Sequence, residues 1–191
     1  MPISTIIVFI LLAFVAITIF KGVRIVPQGY KWIVQRLGKY HTTLQPGLNF
    51  VIPYVDEVAY KVTTKDIVLD IPSQEVITRD NAVLLMNAVA YINLTTPEKA
   101  VYGIENYSWA IQNMVQTSLR SIVGEMDLDD ALSSRDHIKA KLKAAISDDI
   151  SDWGITLKTV EIQDIKPSHT MQTAMEEQAA AERQRRATVT K

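Results

Sequence analysis

The sequence predicts an α+β fold carried behind an N-terminal transmembrane helix. Three stretches carry that expectation: an uncharged apolar run from Ile3 to Phe20, apolar–polar alternation over 86–94, and a helical apolar stripe over 111–123. A chain of 191 residues has room for an anchor with one ordinary domain, or for two small domains. The formal net charge of −1 argues against nucleic-acid capture, which needs a basic face. With no cysteine, disulfides, thiolate metal sites and cysteine nucleophiles are excluded.

The run from Ile3 to Phe20 contains only Ser4, Thr5 and Thr18 as polar side chains. As a helix it covers about 27 Å, close to the hydrocarbon thickness of a thin bilayer. In lipid the backbone must satisfy its own hydrogen bonds, so helix is the spanning form open to it. A cleaved signal peptide calls for a basic leading region and a small-residue cleavage site. Nothing basic precedes this run, and Ala16-Ile17-Thr18 is a poor cleavage match. A core helix of this length is seldom uncharged all round. A retained anchor over 1–21 is expected. Lys21 and Arg24 follow at once, then Lys31, Arg36 and Lys39. The positive-inside rule then places the body on the cytoplasmic side of an inner (plasma) membrane crossed once.

Residues 22–94 read as β. Tyr30 to Leu37 is a strand ended by Gly38, and Val58, Tyr60 and Val62 alternate onto one face. Thr78-Arg79-Asp80-Asn81 has turn chemistry, since Asp and Asn tolerate tight backbone geometry. In the next strand Met86, Ala88, Ala90, Ile92 and Leu94 alternate with Asn87, Val89, Tyr91 and Asn93.

After Pro97 the period turns helical. Ile111, Met114, Val115, Ser118, Leu119, Ile122 and Val123 form one stripe, and Gly124 stops the helix. Asp127 to Asp130 opens a short second helix, and Ser133 with Asp136 resembles a capping arrangement for a third. That third helix is expected to bury Ile138, Leu142, Ala145, Ile146 and Ile150. Trp153-Gly154 breaks it, and Ile155 to Ile165 returns as a strand. The sum is a small mixed sheet with packed helices.

Ser168, after Pro167, caps a last helix. Its apolar face is thin: Met171, Ala174, Met175, Gln178 and Ala181 stand among charged neighbours. A solvated, fraying helix would show this pattern. So would a coiled-coil-type helix that zips onto copies of itself, with small residues allowing close approach and opposite charges setting register.

The order of several short stretches carries a family resemblance. The anchor is followed by Val26-Pro27-Gln28-Gly29, Arg36-Leu37-Gly38-Lys39-Tyr40, and Leu44-Gln45-Pro46-Gly47-Leu48-Asn49-Phe50-Val51-Ile52-Pro53. Then come Leu69-Asp70-Ile71-Pro72, Thr78-Arg79-Asp80-Asn81, Trp153-Gly154-Ile155 and Met175-Glu176-Glu177-Gln178-Ala179-Ala180-Ala181-Glu182-Arg183. Together they resemble the stomatin/prohibitin/flotillin (SPFH, band 7) superfamily, on the side of stomatin-like bacterial membrane proteins. The resemblance implies a membrane-proximal β-rich part over 22–94, an α/β part over 95–166, and the start of a coiled-coil helix over 167–191. It also implies a homo-oligomeric ring or cage that organises a membrane microdomain. The alternative it carries is a regulator restraining a membrane-bound AAA protease or channel, or joined to an NfeD-type partner.

The segment Pro46 to Val55 is apolar, too short to span, and held by prolines that disfavour a regular central strand. It reads as a buried core loop. It reads equally as a loop dipping into the bilayer through Pro46, Leu48, Phe50, Val51, Ile52 and Pro53, as the resemblance suggests.

No catalytic or cofactor chemistry is expected. His41, His137 and His169 lack metal-ligand spacing. Asp127, Asp129 and Asp130 lack the glycine and distal glutamate of a calcium loop, and read instead as carboxylates at a helix N-terminus. Ser73, Ser133 and Ser134 lack a nucleophile-elbow context. The expected partners are copies of itself and a lipid bilayer.

Overall fold

The computed structural model describes the backbone of residues 3–189 and the side chains of residues 5–185. Met1, Pro2, Thr190 and Lys191, which fall within the expected anchor and terminal helix, lie outside the described residues. The apolar run is one helix, α1 (Ile3–Gly22), and it passes directly into strand β1 (Val23–Val26). Strands β2 (Tyr30–Arg36), β3 (Lys39–Leu44), β4 (Gly47–Phe50) and β5 (Asp56–Thr63) follow, then the long strands β6 (Ile67–Ile77) and β7 (Val83–Leu94). Helices α2 (Pro97–Gly103), α3 (Tyr107–Gly124), α4 (Leu128–Ser133) and α5 (Arg135–Asp152) precede strand β8 (Ile155–Pro167) and helix α6 (His169–Val189).

The chain packs as two units, residues 1–66 with 94–105 and residues 67–93 with 106–191. The sequence division at 94/95 follows the change of hydrophobic period. The units follow packing, and most of β7 belongs with the later helices.

In the first unit β3-β2-β5 form an antiparallel sheet, and β1 pairs with β4 as a separate ribbon. One face of the sheet packs Val34 and Leu44 with Val26 and Val51, supported by Trp32 and Val58. On the opposite face Ile33 is fully buried, and α2 contributes Ala100 and Tyr102, whose ring meets Tyr40 and Tyr60 edge-on. The expected alternation of Val58 and Tyr60 onto one face does not hold. Val58 pairs with Val34 and Tyr60 with Ile33, so a bulge at Ala59 turns the two to opposite faces. The segment read as a loop holds a short strand, β4, which belongs to a two-stranded ribbon and is not a central strand of a sheet. Pro46 and Pro53 both fall outside β4, and its four residues pair with β1 from Val23↔Phe50 to Val26↔Gly47.

In the second unit β7 lies between β6 and β8. Leu84, Met86, Ala88, Ala90 and Ile92 are fully buried, as the alternation requires, and Val89 is buried as well. Pro72, which cannot donate to a ladder, falls where the β6–β7 register slips between Ile71 and Gln74. Helix α3 packs on β6 and α5, and α5 on β8. Asn106 caps α3, its Oδ1 accepting from Trp109 N–H at 3.0 Å. On α5 the buried line is Ile138, Leu142, Ile146 and Ile150, a strict i, i+4 row, and Ala145 is exposed. The Ser133–Asp136 cap is not formed. Ser133 still belongs to α4 and donates its hydroxyl to the Asp129 carbonyl at 2.7 Å, leaving Ser134 at the cap position without a side-chain bond.

Two local constraints hold the start of the first unit. Gly22 is buried, its carbonyl accepts from Val51 N–H at 2.8 Å, and a Cβ there would stand 2.7 Å from the Val51 carbonyl oxygen. At the other end of the turn Asp56 is clamped by Arg36, with Nε to Oδ1 at 2.6 Å and Nη2 to Oδ2 at 3.0 Å. Asp56 Oδ2 also accepts from Ile52 N–H at 2.9 Å, and the Asp56 side chain is 3% exposed. The Arg36 hydrogen bond, aided by the Ile52 amide, draws the Asp56 carboxyl down to about 2 against the opposing cost of burial.

Gly22→Ala is expected to lower the stability of this unit by about 1–3 kcal/mol, because the obstructing atom is backbone and cannot swing away. Denaturant melts in mild detergent, followed by Trp32 fluorescence, measure it. Asp56→Asn tests the clamp through pH. An unfolded aspartate titrates near ~4, so a carboxyl held at about 2 stabilises fully above pH ~4 and ceases to as pH falls through 2. The variant melts below wild type at neutral pH, and the gap narrows across that window. A gap independent of pH would show that the carboxylate charge is not what holds the turn.

Candidate functional site

The ribbon that continues α1 has an apolar outer face and a mixed inner one, where Arg24 and Asn49 share the side of Val26. Val26 points into the core beside Val51, Val34 and Leu44. On the other face Ile25 pairs with Leu48 and Val23 with Phe50, so these side chains share one side. Ile25 is 69% exposed, Leu48 63% and Phe50 70%. Ile52 and Tyr54 in the following turn are also exposed, as is Phe20 at the end of α1. A surface ribbon ordinarily turns polar side chains outward. Contiguous exposed apolar side chains of this kind mark an interaction surface.

The structure divides the residues expected at the bilayer. Leu48, Phe50 and Ile52 are exposed, and Pro46 and Pro53 are half-buried. Val51 is inward, filling the core of the unit, because its backbone is drawn against Gly22. Ile25 extends the exposed set beyond the Pro46–Val55 segment, and Tyr54, within that segment, is exposed as well. The pairing of β1 with β4, which brings Ile25 beside Leu48, is a long-range register that local pattern does not encode.

Helix α1 is itself long and apolar enough to cross a membrane, with mean hydropathy 2.5 over Thr5–Gly22. Gly22 is the single buried residue of that window. A soluble core helix would be buried along one face or all round. This one is bare, and it is a candidate membrane anchor.

The second candidate surface is α6. Its start is fixed: Ser168 is buried, donates its N–H to the Val83 carbonyl at 2.8 Å, and accepts from Met171 N–H at Oγ, 3.3 Å away. Beyond that point Met171 is half-buried, while Ala174, Met175, Gln178 and Ala181 are exposed. A groove of about 660 Å³ runs between Leu85 of β7 and a different side of α6, through Gln172, Glu176, Ala179 and Arg183. Met175 alone belongs to both the groove and the expected stripe.

The remaining polar clusters have structural partners. Asp80, from the Thr78–Asn81 turn, accepts from Leu128 N–H at 3.2 Å and so caps α4 from a distant part of the sequence. Its carboxyl is held below the ordinary range, first by the Thr78 hydroxyl and then by that amide. Asp127 forms a two-point ion pair with Arg79, rather than only lying at the helix end. Glu161 is lowered chiefly by Lys139, with help from Thr159. His41, His137 and His169 are exposed and dispersed. Among the described residues no three His, Cys, Asp or Glu side chains gather in a group that could hold a metal ion.

The model of the SPFH domain / Band 7 family matches residues 24–191. The chain is 40% identical over 171 residues to an uncharacterized protein of Methanocaldococcus jannaschii, covering 90% of this chain and 85% of that one. It is 38% identical over 164 residues to the human protein "Stomatin-like protein 2, mitochondrial", covering 86% and 46% respectively. An uncharacterized protein of Mycobacterium tuberculosis is 36% identical over 180 residues, covering 94% and 47%. The chain thus spans about half the length of its human and mycobacterial relatives. The family match starts within β1 and takes in the rest of the ribbon, both sheets and α6, and the chain belongs to the SPFH domain / Band 7 family.

Proposed function

We propose that this chain is a membrane-anchored scaffold that assembles with copies of itself into a ring or cage and so organises a patch of membrane. The observation that carries this reading is the outward apolar face of the β1–β4 ribbon, which continues from a bare apolar helix without a linker. In this reading α1 spans the bilayer, Leu48, Phe50 and Ile52 with Ile25 enter its near leaflet, and Pro46 and Pro53 shape the approach. The body lies on the cytoplasmic side of the plasma membrane, because Lys21, Arg24 and Lys31 all follow the apolar run. Helix α6 supplies the lateral contact through Met171, Ala174, Met175, Gln178 and Ala181. An exposed helix of this length is marginal alone in water and gains its stability from neighbours.

The second reading makes the same surfaces a restraint on a membrane-bound AAA protease or channel, or a seat for an NfeD-type partner. It differs in predicting a stoichiometric foreign partner after mild solubilisation, where the scaffold predicts a particle of this chain alone.

Three outcomes follow from the scaffold reading. Replacing Leu11 and Leu12 by Arg costs roughly 5–7 kcal/mol of insertion free energy, and the protein moves out of the carbonate-resistant membrane fraction. A reporter fused after Lys191 is shielded from protease added outside intact cells. Substituting Ala174 and Ala181 by Glu sets like charges across the α6 contact, so particle mass in mild detergent falls while the thermal transition of the body is kept. Loss of both would mean that α6 packs on its own unit. A wild-type protein that is monomeric in mild detergent and in native lipid would end the scaffold reading.

A further inference from the structure

Where α1 meets the ribbon, a cleft of about 540 Å³ opens, bounded by Phe20, Lys21, Arg24, Pro53, Tyr54 and Asp56. Its charges are unequal in availability. Both Asp56 oxygens are committed, Oδ1 to Arg36 and Oδ2 to Arg36 and the Ile52 amide, so that carboxylate is already neutralised. Lys21 and Arg24 are exposed, and neither forms an ion pair among the described residues. Lys21 Nζ stands 5.6 Å from the centroid of the Tyr54 ring, a cation–π contact that holds the ammonium at the cleft while leaving its protons free to donate. The cleft therefore presents two uncompensated cations and a phenol. Immediately beside it are bare apolar side chains: Phe20, 81% exposed, and Ile52, 53% exposed.

We infer that this cleft binds the phosphodiester headgroup of an anionic phospholipid, with the acyl chains running along Phe20 and Ile52. The inference rests on the reading of α1 as a membrane anchor and names a ligand for the junction where it ends. An apolar helix of this length ends at the headgroup layer, so Lys21 and Arg24 lie at the depth of lipid phosphates. Lysine and arginine are both phosphate donors, the guanidinium through two parallel N–H groups. A tyrosine at the same depth presents its ring to the chains and its hydroxyl to water. The cytoplasmic leaflet, which the positive-inside rule assigns to this end, is also the leaflet rich in anionic lipid.

The test uses the full chain in mild detergent, offered equimolar phosphatidylglycerol and phosphatidylcholine of matched acyl chains, with retained lipid read by native mass spectrometry. Wild type retains phosphatidylglycerol in preference. Lys21→Gln with Arg24→Gln lowers that preference by about tenfold or more, since each basic residue near an anionic surface contributes several-fold. The charge-conserving pair Lys21→Arg and Arg24→Lys keeps it. So does Lys141→Gln with Lys158→Gln, which removes equal charge from the second unit. A wild type without preference, a neutralised cleft that keeps it, or a distant pair that loses it equally would each overturn the assignment. Displacement of the lipid by millimolar inorganic phosphate would assign the cleft to free phosphate and overturn the lipid. Carbonate extraction of the same samples separates the two readings. A wild type that resists extraction yet shows no lipid preference defeats the cleft alone, and one that is extracted defeats the anchor too.

Discussion

The first unit hangs on a backbone contact with no room for a side chain. The Gly22 carbonyl receives the Val51 amide, and the Val51 carbonyl oxygen lies where a Cβ on residue 22 would have to be. That contact ends the apolar helix against the turn after β4 and fixes which residues of β1 and β4 face each other. From it follows the division of the ribbon. Val26 and Val51 turn inward to the sheet, and Ile25, Leu48 and Phe50 are left outside. The Arg36–Asp56 pair closes the far side of the same turn, with a buried carboxylate whose two oxygens are both satisfied. A buried charge without such partners would be strongly unfavourable, so pair and turn require each other.

The second unit follows a different logic, in which distant segments complete one another's hydrogen bonds. The turn between β6 and β7 supplies Asp80 to the amide end of α4 and Arg79 to Asp127. Thr78, buried in that turn, takes its own amide bond with Ala82 while its hydroxyl serves Asp80. Gln112, Gln74 and Arg120 tie α3 to β6 through side chains. The result is a layer of helices on a sheet with a firmly seated exit strand, from which α6 leaves at Ser168.

Local pattern and long-range pairing divide what could be read from the sequence alone. Strand β7 was legible because one face is wholly buried, so apolar alternation is enforced along its length. Helix α3 was legible for the same reason in a period of 3.6, with Ile111, Val115, Leu119, Ile122 and Val123 all buried. The failures cluster where a partner strand or a neighbouring helix decides the outcome. The bulge at Ala59 is set by pairing with β2, and no count within β5 reveals it. Strand β4 is short enough to fit between its flanking prolines, and its partner lies more than twenty residues upstream. Ala145 matched the helical stripe yet faces solvent, because α5 buries only a single row. At the candidate surface, the apolar character of residues 48–52 was visible in composition. Which of them point outward was not, since that depends on Gly22.

The passage from Gly22 to Val23 without an intervening loop residue has a mechanical corollary. A spanning helix longer than the local hydrocarbon layer tilts to bury its apolar length. A flexible stretch after such a helix would absorb the rotation. Here the last helical residue is also hydrogen-bonded to the turn that closes the ribbon, so the joint lacks a swivel. Any change of helix angle is handed to the β1–β4 ribbon as a change in its own inclination. In the proposed anchored state, bilayer thickness thereby becomes a variable that sets the pose of this first unit, and a ring of such chains would feel a thin patch as a torque at every protomer.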